Sequence, residues 1–218
     1  MVKKFIQKNK IYLALILVMA CILLFARKKQ VYTVYDEAGK AWEMEVIRPL
    51  WSSYSNKLVF KAADEKFTRD FKGKYEHNIY KVQTGRVNAE TKFDIAFGVY
   101  NKAPSHKVYA KRMFIYYIKD GRLLPKFRCS RFVTPMVDFA LADLDGDGYD
   151  EIYTLEKYQG IYTINMYRQY DLKIERLSTQ KLNFKAEALE RENSKLYIKS
   201  DKNYQVILKN KEVKIYED

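Results

Sequence analysis

Short runs in which aromatic and β-branched residues alternate with polar ones recur along this chain and leave little room for helix. They cover residues 31–35, 41–47, 57–62, 79–84, 93–100, 112–118, 139–142, 151–156, 161–167, 196–200 and 204–208. A period of two with this composition reads as half-buried strand, because successive side chains then point to opposite faces of a sheet. Asp120-Gly121 and Lys209-Asn210-Lys211 predict hairpins, since tight two-residue turns need positive φ. Only residues 65–72 (EKFTRDFK) offer a candidate short helix after residue 30. The 19 tyrosines suit strands as cross-strand residues; Tyr100, Tyr149 and Tyr158 are candidates for a shared exposed binding face.

One decapeptide carries the chemistry: Asp143-Leu144-Asp145-Gly146-Asp147-Gly148-Tyr149-Asp150-Glu151-Ile152. Ca²⁺ takes six to eight oxygens, and flexible acidic loops supply them from positions 1, 3 and 5 and from a backbone carbonyl at 7. Here those positions are Asp143, Asp145, Asp147 and the carbonyl of Tyr149, with Glu151 at position 9 as the fifth ligand. Gly148 at position 6 permits the sharp turn. Without a cation, carboxylates about 4 Å apart repel by roughly 4 kcal/mol per pair at an effective dielectric near 20. Asp150 is expected to point away from the ion. An EF-hand would place Glu at position 12, which is Thr154, and would continue as helix; IYTLEKY continues as strand instead. DxDGDGxxE followed by a strand resembles the calcium loops of FG-GAP and VCBS-type repeats of integrin-like β-propellers. The resemblance implies a structural Ca²⁺ and a propeller-like repeat fold.

A search for repeats aligns residues 86–96 with residues 143–153. Asn88, Glu90 and Asp94 keep oxygens at positions 3, 5 and 9, while Arg86 stands at position 1 and Thr91 replaces the turn glycine. Arg86 is expected to fill or bridge the space of the ion. Residues 188–198 form a weaker third match, with Asn193 suited to a left-handed turn. Repeats of this length, each a loop followed by short strands, fit propeller blades of four strands. The expected fold is a small β-propeller-like domain of about four blades, with a β-sandwich carrying one calcium loop as the alternative.

Residues 11–26 (IYLALILVMACILLFA) hold no charge and are flanked by Lys8 and Lys10 and by Arg27, Lys28 and Lys29. As a helix they would rise about 24 Å, a thin membrane span with snorkelling cations. The alternatives are a cleaved signal peptide and lipidation at Cys21 in VMAC. The expected organisation is a cytoplasmic tail and single transmembrane signal anchor over residues 1–30, then an extracytoplasmic β-rich repeat domain over 31–218. Extracellular modules bind calcium at 10⁻⁴ to 10⁻³ M, which favours the outside. Residues 97–131 (FGVYNKAPSHKVYAKRMFIYYIKDGRLLPKFRCSR) together with the acidic loop also resemble uncharacterised membrane-anchored or secreted Gram-positive proteins, and that resemblance implies a location without an activity.

The formal net charge is +13, but seven of the 40 Lys and Arg residues lie within residues 1–30; the remainder sets 33 basic against 27 acidic side chains, about +6. Without a nucleic-acid-binding motif or a basic run, nucleic acid is disfavoured. The membrane, an anionic cell-wall polymer or an envelope protein are the partners this location implies. Arg112, Arg128 and Arg131 beside Phe114, Tyr116, Phe127 and Phe132 read either as an oxyanion patch or as strand-surface arginines paired locally. Cys21 and Cys129 are not expected to pair. Ser105-His106 has no nucleophile elbow around it, and Asp138 and Glu156, flanking the loop, read as surface or rim residues. The expected function is an envelope binding or scaffold module with structural calcium. The alternative is a calcium-dependent surface hydrolase acting on cell-wall polymer, which would require a concave pocket holding an acid of displaced pKa.

Overall fold

A computed structural model describes residues 27–73, 76–171 and 173–217. Sixteen strands form four 4-stranded antiparallel sheets, each a simple meander of consecutive strands. The first holds β1 (Arg27–Tyr35), β2 (Ala41–Pro49), β3 (Lys57–Ala62) and β4 (Glu65–Asp70). The second holds β5 (Ile79–Gly85), β6 (Asp94–Ala103), β7 (His106–Lys119) and β8 (Arg122–Arg128). The third holds β9 (Met136–Ala142), β10 (Glu151–Tyr158), β11 (Ile161–Tyr170) and β12 (Lys173–Leu182). The fourth holds β13 (Ala188–Glu192), β14 (Lys195–Lys199), β15 (Asn203–Lys209) and β16 (Glu212–Glu217). The two hairpins read from sequence form as the turn chemistry requires, with positive φ at Asp120 and Gly121 and at Asn210 and Lys211.

Three expectations need correction. The transmembrane helix, the signal anchor and the single-pass membrane localisation find no support: the described residues contain no helix at all, hence none long and apolar enough to cross a membrane. Residues 1–26, where the span was placed, lie outside the described residues. Arg27, Lys28 and Lys29, expected as a cationic flank beside lipid, instead pair with Pro49, Arg48 and Ile47 as the start of β1. The candidate helix at 65–72 is the edge strand β4, drawn into the sheet by Phe67, which pairs with Phe60 across the ladder and stacks on its ring at 4.4 Å. A sandwich needs two facing sheets, and the described residues form four.

Because each sheet closes its own ladder, the sheets can be joined only through faces and edges. Three buried apolar clusters do the first part. One, with Met44, Phe60, Ile79 and Phe97, joins sheets one and two; another, with Met113, Ile115, Phe139 and Ile152, joins two and three; the third, with Ala140, Ile164, Leu189 and Ile198, joins three and four. Gly98 lets sheets two and three approach, since a Cβ there would lie 2.9 Å from the Phe139 ring and 2.7 Å from that of Tyr80.

The edges are more demanding. β5, β9 and β13 are first strands, each with one edge unpaired, and a buried unpaired backbone group costs about as much as a lost hydrogen bond. Side chains from neighbouring sheets supply the partners. Lys81 on β5 donates to Asp138 on β9 (2.7 Å) and to the carbonyl of Leu189 on β13 (2.6 Å), and the Leu189 N–H donates back to Asp138 (2.9 Å). Gln83 accepts from the Leu141 N–H, while Arg191 on β13 donates to the carbonyls of Leu141 and Thr84. Asp138, expected at a rim, is buried at this junction.

Asp138→Ala leaves the Leu189 N–H without its acceptor and the Lys81 ammonium with the Leu189 carbonyl but no counter-charge, and removing one partner of a buried pair costs about 3–5 kcal/mol. Lys81 retains partial solvent access, so we expect about 3 kcal/mol in urea unfolding. Asp138→Leu combined with Lys81→Met should lose less than the sum of the single changes.

Candidate metal centre

The acidic loop connects β9 to β10, at the first hairpin of the third sheet. Gly146 and Gly148 have φ of 77° and 86°, which an L-residue with a Cβ adopts only at a cost. Around these turns the loop folds onto its own carboxylates. Asp143 accepts from the N–H groups of Gly146 (2.7 Å) and Gly148 (2.9 Å), Asp145 from that of Asp147 (3.1 Å), and Asp147 from that of Tyr149 (2.9 Å). Glu151, the first residue of β10, is buried and accepts weakly from the Leu144 N–H and the Tyr153 hydroxyl, both at 3.4 Å. Burial raises the pKa of Glu151, opposed by its bond to Arg168, and burial with the adjacent Glu151 raises that of Tyr153.

One oxygen each of Asp143, Asp145 and Glu151 lie within 4.8 Å of one another. Oxygens at 2.3–2.6 Å from a shared Ca²⁺ can be at most about 4.6–5.2 Å apart, so the three donors fit that ion. Asp147 is not in this group; with Asp145 and Glu151 it holds Arg168, whose Nη2 lies 3.0 Å from both aspartates and is also bonded to Glu151. These three carboxylates raise the pKa of Arg168 against the lowering effect of its burial. Tyr149 places its ring under the Arg86 guanidinium, 4.8 Å from the centroid.

The neighbouring loop, between β5 and β6, repeats two of these bonds. Asn88 at position 3 accepts from the Glu90 N–H (3.0 Å), as Asp145 does from Asp147. Asp94 at position 9 accepts from the Val87 N–H (2.9 Å), as Glu151 does from Leu144. Arg86 does not fill the cation position, contrary to expectation. Lys126 does: its ammonium meets Asn88 at 2.6 Å, Asp94 at 3.0 and 3.2 Å, and Thr91, and the pair is almost wholly buried. The weak match at residues 188–198 occupies the equivalent hairpin of the fourth sheet, but there β13 turns into β14 through Asn193, left-handed at φ 56°, with no room for an ion loop.

Asp150 points away from the carboxylates, as read from sequence. Its Oδ2 accepts from the Arg86 N–H (2.7 Å) and its Oδ1 from Arg191 (3.3 Å), so it ties the two loops to the fourth sheet. Gly85 is required beside it, because a Cβ there would sit 2.3 Å from Asp150 Oδ2. Burial raises the Asp150 pKa, opposed by the Arg86 N–H. Glu156 is also buried, accepting from the Thr134 N–H and hydroxyl, the Thr154 hydroxyl and the Tyr167 hydroxyl at 2.6–2.8 Å. Arg112, Arg128 and Arg131 do not form one surface patch, because Arg112 is buried. Tyr100 stacks with Tyr54 and Tyr109 rather than sharing a face with Tyr149 and Tyr158. Cys129 is buried and unpaired, its thiol pushed up to about 12 by burial.

Arg168 and Lys126 were not legible from the sequence, for they lie 17 and 32 residues beyond the position-9 acids they meet. Only the ladder finds Arg168: Ile152 pairs with Tyr167, which sets Arg168 across from Glu151. No protein-family model and no curated protein matches the chain, so the likeness to FG-GAP and VCBS loops rests on the loop residues alone.

Lys126→Met should cost about 3–5 kcal/mol in denaturant unfolding, because it strands the buried Asp94 carboxylate. Adding Asp94→Asn should recover part of that loss if the pair serves as the loop's internal cation and anion.

Proposed function

We propose that the domain is a binding or scaffold module whose third sheet is stabilised by a structural Ca²⁺, held by Asp143, Asp145, Asp147, Glu151 and the Tyr149 carbonyl. The observation that carries this reading is the correspondence of the two loops. Each gathers oxygens at positions 3 and 9 around a positive charge, and the 86–94 loop has the lysine built in. With Asp150 engaged by Arg86 and Arg191, the 143–151 loop sets four carboxylates against one arginine, an excess of negative charge that a divalent ion offsets and a guanidinium alone does not. For the ion to enter, Arg168 must leave Glu151, Asp145 and Asp147. Calcium would supply charge neutralisation and loop rigidity, with no chemical step routed through it.

Support for a binding role comes from a groove of about 850 Å³ on the first two sheets, where the stacked rings of Tyr54, Tyr100 and Tyr109 lie beside Arg27, Lys29, Lys57 and Lys72, which outnumber the lining acids Asp70 and Glu76. Flat aromatic rings with flanking cations suit an extended anionic partner. The hydrolase reading has one observation in its favour: Asp150, with its raised pKa, lines a cavity of about 380 Å³ together with Asp94. Both Asp150 oxygens are engaged by Arg86 and Arg191, and both Asp94 oxygens by Lys126, Val87 and Thr91, an arrangement that favours bracing over proton transfer.

The test is thermal melting of the full chain in EDTA and in calcium. Binding only to the folded state stabilises by about 1.4 kcal/mol at ten times Kd, worth roughly 3–6 °C for a chain of this size. That rise should be specific to calcium over magnesium and absent in Asp145→Ala. An equal shift in Asp145→Ala would show that the ion binds elsewhere.

A further inference from the structure

At the tip of the second sheet, remote from the acidic loop, a cavity of about 290 Å³ opens under the β6–β7 hairpin. His77, Asn101, Lys102, Ser105, Arg128 and Ser130 line it around Phe114, and no carboxylate does. Two features mark it as built to receive something. Asn101 is 2 % exposed, and its Oδ1 has no hydrogen-bond partner, an acceptor left unmatched at a position where burial normally forbids it. Arg128 is exposed and stands beside the Tyr116 hydroxyl, which meets His77 Nε2 at 2.6 Å.

Positive charge without a counter-ion, hydroxyl donors at the wall and a planar guanidinium are the elements of oxyanion recognition. An anion alone would leave Asn101 Oδ1 still unmatched, since it needs a donor. Both requirements are met by one molecule that carries an oxyanion and a hydroxyl. The volume equals about ten waters at their liquid share, which limits the occupant to something of that number of heavy atoms.

We propose that this cavity binds a small phosphorylated polyol, or the phosphopolyol unit of a polymer, with the phosphoryl oxygens on Arg128, Lys102, Ser105 and Ser130 and a ligand hydroxyl donating to Asn101 Oδ1. The site is independent of the calcium reading and stands or falls without it.

Calorimetric titration of the full chain with glycerol 3-phosphate, inorganic phosphate and glycerol tests the assignment. Glycerol 3-phosphate should bind saturably and at least tenfold more tightly than inorganic phosphate, and glycerol should give no saturable heat. Arg128→Gln, at an exposed position, should weaken glycerol 3-phosphate tenfold or more with the melting temperature unchanged. Asn101→Val should weaken glycerol 3-phosphate but leave inorganic phosphate alone, and should hold or raise the melting temperature because an unmatched buried acceptor has been removed. A structural asparagine would do the reverse, lowering stability without touching affinity. Absence of binding by glycerol 3-phosphate, equal affinity in Arg128→Gln, or no preference over inorganic phosphate would each overturn the proposal. A short polyol-phosphate oligomer that binds no better than glycerol 3-phosphate identifies a small-molecule site, and one that binds more tightly identifies the polymer; either result supports the shared chemistry.

Discussion

Four meander sheets that share no ladder confront the chain with unpaired strand edges in its interior, and Asp138 is where that problem is solved. A single carboxylate on β9 takes the Lys81 ammonium from β5 and the Leu189 N–H from β13, while the same ammonium caps the Leu189 carbonyl. Arg191 and Gln83 do the equivalent one step along the strands. Apolar burial between the sheets supplies most of the driving force, but it is non-directional. The polar contacts fix which strand faces which, because a shifted sheet would leave charged groups buried without partners.

The acidic loop inherits its position from this junction. Asp150 and Arg191 connect the 143–151 loop to the first strands, and Asp150 also holds the Arg86 N–H of the neighbouring loop. Two loops of one design thus sit side by side with different cations. In one, Lys126 is covalently part of the chain and fully desolvated against Asp94. In the other, Arg168 reaches in from β11 but remains a quarter exposed, and two of the three carboxylates it meets, Asp145 and Asp147, keep solvent access. A built-in lysine makes the first loop independent of its surroundings. The second retains the oxygens and the glycine turns that make exchange with a divalent ion feasible.

Inner strands were legible in the sequence because their faces differ. Residues 57–62 and 151–156 became strands at those bounds or close to them, carried by a buried face of β-branched and aromatic side chains. The strands not read as runs are β4, β8, β12, β13 and β16, all at sheet edges; their side chains are largely exposed or half-buried, so burial imposes little alternation for the sequence to display. EKFTRDFK read as helix for that reason. Turn chemistry was legible at Asp120-Gly121 and Asn193, but not at Ala63 or Gln159, whose side chains carry no preference for the positive φ they adopt. The closeness of Asp143, Asp145 and Glu151 was legible because the three acids are local in sequence, whereas Lys126, Arg168 and the burial of Asp138 and Glu156 depend on strand register, which no local spacing encodes. Residues 1–26 lie outside the described structure, and the cations that followed them in the sequence turned out to be strand.

The claim on which the functional account rests is that the oxygens of residues 143–151 form a divalent-cation position that Arg168 otherwise shares. Terbium is a luminescent stand-in for calcium, and Tyr153 lies against Glu151, close enough to transfer excitation to an ion held there. Terbium titration of the full chain, excited through tyrosine, should give saturable emission that calcium displaces and that Glu151→Gln largely abolishes. Emission that calcium leaves unchanged, or that persists undiminished in Glu151→Gln, would contradict the account.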